Sequence, residues 1–262
     1  MHKRLKEQYK NSSNLSGRIE LHESYSKNKE GWHHWLFDRM ALAPDARILE
    51  LGCGNGVLWE KNHLFSSPRW KLTFSDLSAG MLANAKERVS ELYPEANYEV
   101  IDAQDIPFQA NTFDNVIANH MLYHVEDPGK SIAEIRRVLK PGGMLYASTN
   151  GRNHLKEINE LLYEFDPMIE LESASYIDAF GLENGKKLLS SEFGFIEEHY
   201  YEDGLVVTEA EPLIRYILTT MSNAAERLNG EALMEFRDFL NGKIDHQGAI
   251  HISKDSGLFR AM

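Results

Sequence analysis

Apolar residues first recur at helical spacing at Trp32, Trp35, Leu36 and Met40, which predicts an amphipathic helix over 29–42, stopped by Pro44. The first thirty residues upstream are polar and aperiodic. From 46 to 151 the chain alternates between two textures. Short apolar or β-branched runs at 47–51, 70–75, 98–101, 113–119 and 143–149 read as strands, with helical patterns at about 57–66, 78–92 and 129–139 between them. Strands alternating with helices of this length imply right-handed crossovers and a parallel sheet, hence a doubly wound α/β fold. Beyond Asn150 the rhythm changes: Leu155, Ile158, Leu161, Leu162 and Phe165 define a helix with no strand behind it, read as a lid or cap. A strand returns at 195–201. Two helical patterns follow, through Leu213 to Met221 and Leu233 to Leu240. The chain closes on strands at 249–253 and 258–261 around a turn at Lys254-Asp255-Ser256-Gly257. No Pro/Gly/Ser-rich linker divides these parts. The expectation is one domain over 1–262, with an N-terminal helical cap at 1–45, a ligand-binding core at 46–151, and helical lid segments plus the last strands at 152–262.

At 262 residues the chain can bury a full-sized core without disulfide support. Its 28 basic against 40 acidic residues give a net charge of −12, which disfavours a nucleic-acid backbone or an anionic membrane as primary partner. A single cysteine, Cys53, suits a reducing compartment, and the cytoplasm is the expected location. Lys3, Arg4 and Lys6 are followed by polar Asn11 to Asn14 rather than an apolar signal region, and no apolar run is long enough to span a membrane.

Candidate chemistry gathers at the ends of the first three strands. Ile48 to Gly56 is a strand running into a glycine loop, G-x-G-x-G, that opens a helix. A dinucleotide fingerprint would put a third glycine where Val57 stands. Asp76 ends the second strand, where a carboxylate can accept from both hydroxyls of a ribose lying across the sheet's switch point. Asp102 ends the third, where it can accept from an adenine amine. Each acid alone reads equally as a helix N-cap or a solvated loop residue. Acids at the tips of two successive strands, beside the glycine loop, read better as a nucleoside site.

The ordered set Glu50-Leu51-Gly52-Cys53-Gly54-Asn55-Gly56, Asp76-Leu77-Ser78, Asp102-Ala103, Phe113-Asp114 through His124 to Pro128, and Leu139-Lys140-Pro141-Gly142-Gly143 resembles the class I S-adenosylmethionine-dependent methyltransferases. The resemblance is to their small-molecule branch, which includes the ubiquinone and menaquinone biosynthesis enzymes. It spans about 46–150 and implies a Rossmann-like, mostly parallel seven-stranded sheet with helical cap insertions, and S-adenosylmethionine as cofactor. Carried over residue by residue, it implies that Glu50, Gly52, Cys53, Gly54 and Gly56 hold the methionine end of the cofactor and Asp76 the ribose. Leu77 and Met81 would pack on the adenine, with Asp102, Ala103 and Gln104 meeting its edge. Asn119 and His120 would lie near the sulfur.

Methyl transfer is an in-line displacement, which asks chiefly for alignment in a water-free site. A hydroxyl acceptor gains from a nearby base, and His120 and His124 are the candidates. Their i,i+4 spacing would suit zinc on a helix, but they follow a strand and lack the Glu of H-E-x-x-H, so no metal is expected. His33, between Trp32 and His34-Trp35, is either a surface histidine on a buried aromatic helix or part of a substrate wall. Tyr25 is either a core anchor or an aromatic closing over the cofactor. The expected function is methylation of a small organic acceptor at O, N or C, with substrate choice residing in 152–190 and 205–242. The competing readings are a nicotinamide-dependent oxidoreductase, disfavoured by Val57 and by the absence of a Tyr-x-x-x-Lys pair, and a non-catalytic S-adenosylmethionine-binding protein. The acceptor and the oligomeric state are not legible.

Overall fold

The computed structural model describes residues 21–169, 175–220 and 223–262; most of the polar N-terminal stretch, through residue 20, lies outside them. Strands β1 (Arg47–Leu51), β2 (Lys71–Asp76), β3 (Asn97–Val100), β4 (Phe113–Asn119), β5 (Leu139–Asn150), β6 (Ile196–Val207) and β7 (Ile250–Ala261) form one seven-stranded sheet in the order β3-β2-β1-β4-β5-β7-β6. The first five are parallel, and β7 enters antiparallel between β5 and β6. The strand order reverses between β1 and β4, so the crevice beyond their carboxyl ends is the switch point where ligands of such sheets bind.

The core helices are α1 (Trp32–Asp38), α2 (Val57–Asn62), α3 (Ala79–Val89) and α4 (Pro128–Val138). Ser78 caps α3 by accepting from the Met81 N–H, and Asp127 caps α4 by accepting from the Lys130 N–H with Pro128 in the first turn. Periodicity predicts α1 too long, because Gly31 rather than an earlier residue starts it and Arg39 ends it, well before Pro44. Strand β5 begins earlier than its apolar run. Leu139 already pairs with Phe113, and the register then slips to Asn115 opposite Met144, so Lys140 to Gly143 is an irregularity inside the strand rather than a separate helix stop.

The last two strands correct the sequence reading most. β6 and β7 are each 12 residues and pair without interruption, with Lys254 opposite Asp203 and Ser256 opposite Tyr201, so Lys254 to Gly257 is not a turn. Those polar residues belong to the strand for packing reasons. Lys254 Nζ lies 2.5 Å from Asp203 Oδ2 with both side chains almost wholly buried, and Ser256 Oγ donates to Asn150 Oδ1 at 2.7 Å. A methyl group at Gly257 would lie 2.7 Å from the His199 carbonyl.

Strand β5 ends opposite Ser256, so the stretch of β7 from Ile250 to Asp255 pairs with β6 alone, as a two-stranded ribbon projecting past the carboxyl edge of the sheet. Helices α5 (Lys156–Phe165), α8 (Ala210–Thr220) and α10 (Gly230–Gln247) pack on it, with Ile158, Leu162, Leu213, Ile217, Phe236 and Leu240 wholly or almost wholly buried together with Ile250 and Ile252. Three further helices are short: α6 (Ser175–Ala179), α7 (Gly185–Leu189) and α9 (Ala224–Arg227). At the ribbon's outer edge, Ser26 bridges to Leu205 and the Lys27 N–H donates to the Gly204 carbonyl. No helix among the described residues is long and apolar enough to cross a membrane.

Candidate active site

The glycine loop leaves β1 with three left-handed residues, Gly52 (φ 65°), Gly54 (φ 57°) and Gly56 (φ 77°). At Gly52 the constraint is also steric, because a Cβ would lie 2.7 Å from Met121 Cβ. Gly56 has a different role: a Cβ there would press on Val89 and Ala85 at 3.2–3.4 Å, so it permits α3 to pack against the loop. The loop is held from below, with the Cys53 N–H donating to the Ser75 carbonyl. Burial pushes the Cys53 thiol up, which makes it a packing residue rather than a reactive one.

Glu50 is 2% exposed and accepts from Trp59 Nε1 at 2.7 Å. Trp59, fully buried, is wedged among Phe37, Trp70, Phe74 and Tyr93, an anchor contributing about 2–3 kcal/mol of burial. Burial raises the Glu50 carboxyl from its ordinary 4.5 to about 8, opposed by the Trp59 hydrogen bond and reinforced by the charge of Asp76.

Asp76 receives the Gly54 N–H on one oxygen at 3.0 Å and the Ser78 N–H on the other at 2.8 Å. Burial raises its pKa against both bonds. Each oxygen keeps a lone pair for a further donor, as a diol requires. Beside it Leu77 is 42% exposed, while Met81 is buried beneath the loop with its Cε 3.8 Å from where a Gly54 Cβ would be. Asp102, after β3, is already engaged: Oδ1 accepts from the Gln104 N–H at 2.9 Å and from Gln104 Nε2 at 3.1 Å, while Gln104 Oε1 accepts from the Asp127 N–H. Ala103 is buried beneath this turn.

At the end of β4 the side chain of Ser148, on β5, donates to Asn119 Oδ1 at 2.5 Å, and its Oγ accepts from the His120 N–H at 3.0 Å. His120 has φ 50°, a left-handed conformation costing about 1–2 kcal/mol for a residue with a Cβ. Its ring packs at 4.8 Å from Trp32 of α1, and Nδ1 is buried with no hydrogen-bond partner. Burial, then the neighbouring His33, His124 and Lys254, lower its pKa to about 3, so the ring is neutral at pH 7.

The sequence candidates therefore separate. Glu50, Gly52, Cys53, Gly54, Gly56, Asp76, Leu77, Met81, Asp102, Ala103, Gln104, Asn119 and His120 all lie at or under the carboxyl edge of β1 to β4. His33, on α1, lies near enough for its charge to act on His120, and burial lowers its own pKa to about 3. His124, whose charge also acts on His120, ends a 3-10 turn at Leu122–His124 and packs 4.4 Å from Tyr123. Tyr25 packs against the apolar cluster of the cap. Among the described residues no three His, Cys, Asp or Glu side chains are placed to hold a metal.

Sequence reasoning missed Ser148, which holds Asn119 and His120, and Trp59, which holds Glu50. Ser148 lies inside β5 and Trp59 inside α2, so no strand-end signal marks either.

Residues 49–147 match the family model described as a methyltransferase domain. A ubiquinone/menaquinone biosynthesis C-methyltransferase of Desulfotalea psychrophila is 34% identical over 112 residues, 43% of this chain and 44% of that protein. A ubiquinone biosynthesis O-methyltransferase of Aromatoleum aromaticum is 33% identical over 120 residues, 45% of this chain and 50% of that protein. The chain thus spans about half the length of the curated relatives it matches. A putative methyltransferase from Bacillus halodurans shares the fold with a TM-score of 0.61 at 19% identity, over 87% of this chain and 97% of that one.

Proposed function

We propose that this chain, whose residues 49–147 are a methyltransferase domain on a class I methyltransferase fold, moves a methyl group from S-adenosylmethionine to a small organic acceptor. The observation that carries the reading is Asp76. Its carboxylate ends β2 at the switch point, fixed by the Gly54 and Ser78 N–H groups, with free lone pairs and an exposed Leu77 beside it. A ribose diol fits the first feature and the face of an adenine the second.

The same residues define the division of labour. Gly52 and Gly54 let backbone approach the methionine end, and Glu50 supplies a buried acid there. Its elevated pKa suits an amino group whose charge would draw the carboxyl into its ionised form. Gln104 fixes Asp102 for the base edge. When bound, the cofactor supplies an electrophilic methyl group. The chain's task is then to present an acceptor lone pair in line with it and to exclude water.

His120 is placed to do the first. A neutral imidazole accepts a hydrogen bond from an acceptor hydroxyl and aims its lone pair. With a pKa of about 3 it orients the group more readily than it removes a proton at neutral pH. The cap carried on the β6–β7 ribbon serves the second task.

Val57 in place of a third glycine, and Gly56 spent on packing α3, leave the nicotinamide reading without support. Thermal unfolding with S-adenosylmethionine, S-adenosylhomocysteine, NAD and NADP tests the assignment. A ligand at 100 times its Kd raises stability by about 2.7 kcal/mol. Stabilisation by the two sulfur nucleosides alone is expected, and stabilisation only by a nicotinamide, or by none, overturns it.

A further inference from the structure

Strand β4 runs between β1 and β5, and its last residue is tied to both. Leu51 pairs with Ala118, which sets Asn119 beside Gly52, and Asn119 itself pairs with Ser148. Just beyond, the chain passes over the glycine loop, for a Cβ at Gly52 would lie 2.7 Å from Met121 Cβ. Side chains alternate along a strand, so Asn119 shares a face of the sheet with Ile117 and with Glu50, the residue opposite Ile117. The Asn119 amide therefore stands on the same face as the buried acid, one strand over and beside the loop.

Ser148 decides which end of that amide faces outward. It is wholly buried, and its Oγ accepts from the His120 N–H at 3.0 Å, so the hydroxyl proton is left for Asn119 Oδ1, 2.5 Å away. Turned the other way, the amide would bring a second N–H donor to the same oxygen and take the acceptor away from the hydroxyl proton. The amide oxygen is held inward. Asn119 is only half-buried, and its Nδ2 has no partner among the described residues yet is not sealed in, unlike His120 Nδ1 beside it. What the amide presents outward is a pair of N–H donors and no acceptor.

We propose that Ser148 is a positioning residue for the cofactor: by holding Asn119 Oδ1 it aims Nδ2 at the carboxylate of the cofactor's amino-acid end. This rests on the methyltransferase reading and deepens it, naming the group that reads the carboxylate and the hydroxyl that keeps that group in place.

The surroundings fit a carboxylate met by a neutral donor. The amino-acid end of S-adenosylmethionine carries an ammonium and a carboxylate within one small group. With the ammonium at Glu50, the carboxylate needs a donor set apart from that acid, and Asn119 is one strand away from it. Lys61 on α2 and Lys254 on β7 are paired with Glu23 and Asp203. An amide also binds a carboxylate without setting a further positive charge beside the sulfonium. Ser148 has a second task, because its hydroxyl and its carbonyl both accept from the N–H of His120, the residue at φ 50°.

The two tasks separate in a comparison of ligands. S-adenosylhomocysteine and its decarboxylated analogue, which keeps the amine and lacks the carboxylate, are titrated calorimetrically into the full chain as wild type, N119D and S148A. N119D keeps an oxygen for Ser148 and puts a second where Nδ2 stands. A loosened turn weakens both ligands alike, whereas loss of the amide donor weakens only the first. The wild type is expected to prefer S-adenosylhomocysteine. That preference falls about tenfold or more in N119D, where a charge-assisted hydrogen bond becomes a repulsion, and about threefold or more in S148A, where the amide is free to turn. If S148A lacks a cooperative unfolding transition, S148C, with its weaker donor, takes its place. No preference in the wild type, an unchanged preference in N119D, or a Ser148 variant that weakens both ligands equally or neither overturns the proposal. A wild type that binds neither ligand counts against the methyltransferase reading itself, and the proposal falls with it.

Discussion

Replacing Glu50 by Gln isolates the electrostatic cost of the acid beneath the glycine loop. The carboxyl is buried with Trp59 Nε1 as its hydrogen-bond partner, and burial lifts its pKa from 4.5 to about 8. At about 1.36 kcal/mol per pH unit, ionising it in the fold costs about 5 kcal/mol more than in the unfolded chain. Between those two values the folded state keeps a proton that the unfolded state has lost. Stability from this group therefore falls as pH rises from about 4.5 to 8, and levels off above. Glutamine retains an oxygen to accept from Trp59 and has no proton to lose. The buried histidines act in the opposite sense: His33 and His120, lowered to about 3, add stability as pH rises from about 3 to 6.5. Only the difference between the two proteins reports Glu50. Urea unfolding at pH 5, 6, 7, 8 and 9 should give E50Q an advantage over the wild type that grows with pH towards about 5 kcal/mol. A difference independent of pH refutes the reasoning, whatever its size.

If the cofactor's amino group lies beside Glu50, binding at pH 7 releases a proton, read by calorimetry in buffers of different ionisation enthalpy, and E50Q abolishes the release. Asp76→Ala removes the anchor of a diol and should weaken S-adenosylhomocysteine binding by about 2–4 kcal/mol, at about 1.5–3 kcal/mol for each hydrogen bond to a charged group with some compensation by water; unchanged affinity in a titration would contradict the site. Gly52→Ala forces a methyl group to 2.7 Å from Met121 at φ 65°, and should lower the unfolding midpoint and cofactor affinity together. Lys254→Met leaves Asp203 buried without its cation and should cost about 3–5 kcal/mol in denaturant unfolding, while the double variant with Asp203→Asn recovers much of that loss.

The half of the fold legible in the sequence is the half built from local rules. β1, β2 and β4 announce themselves because strands buried on both faces read as continuous apolar runs, and the caps at Ser78 and Asp127 mark where α3 and α4 begin. The β6–β7 ribbon hides because its polar residues are satisfied by partners far along the chain. Lys254 pairs across to Asp203, and Ser256 reaches Asn150. No local pattern distinguishes such residues from a turn. The residues proposed to hold the cofactor were readable for the same reason as the strands, each being fixed by its position at or near a strand end. The contact of Trp32 with His120 was not, because the two meet only once α1 is folded over the sheet.

Charge divides along the same line. On the β1–β2 side of the switch point stand Glu50 and Asp76, acids held partly against ionisation and so poised for a ligand bearing hydroxyls and an amine. On the β4–β5 side stand neutral imidazoles, with Lys254 behind them paired to the buried Asp203. A cofactor bearing a sulfonium and an amine would therefore find its favourable potential on the β1–β2 side, where Glu50 and Asp76 have no cation of their own among the described residues, rather than beside an ion pair already compensated.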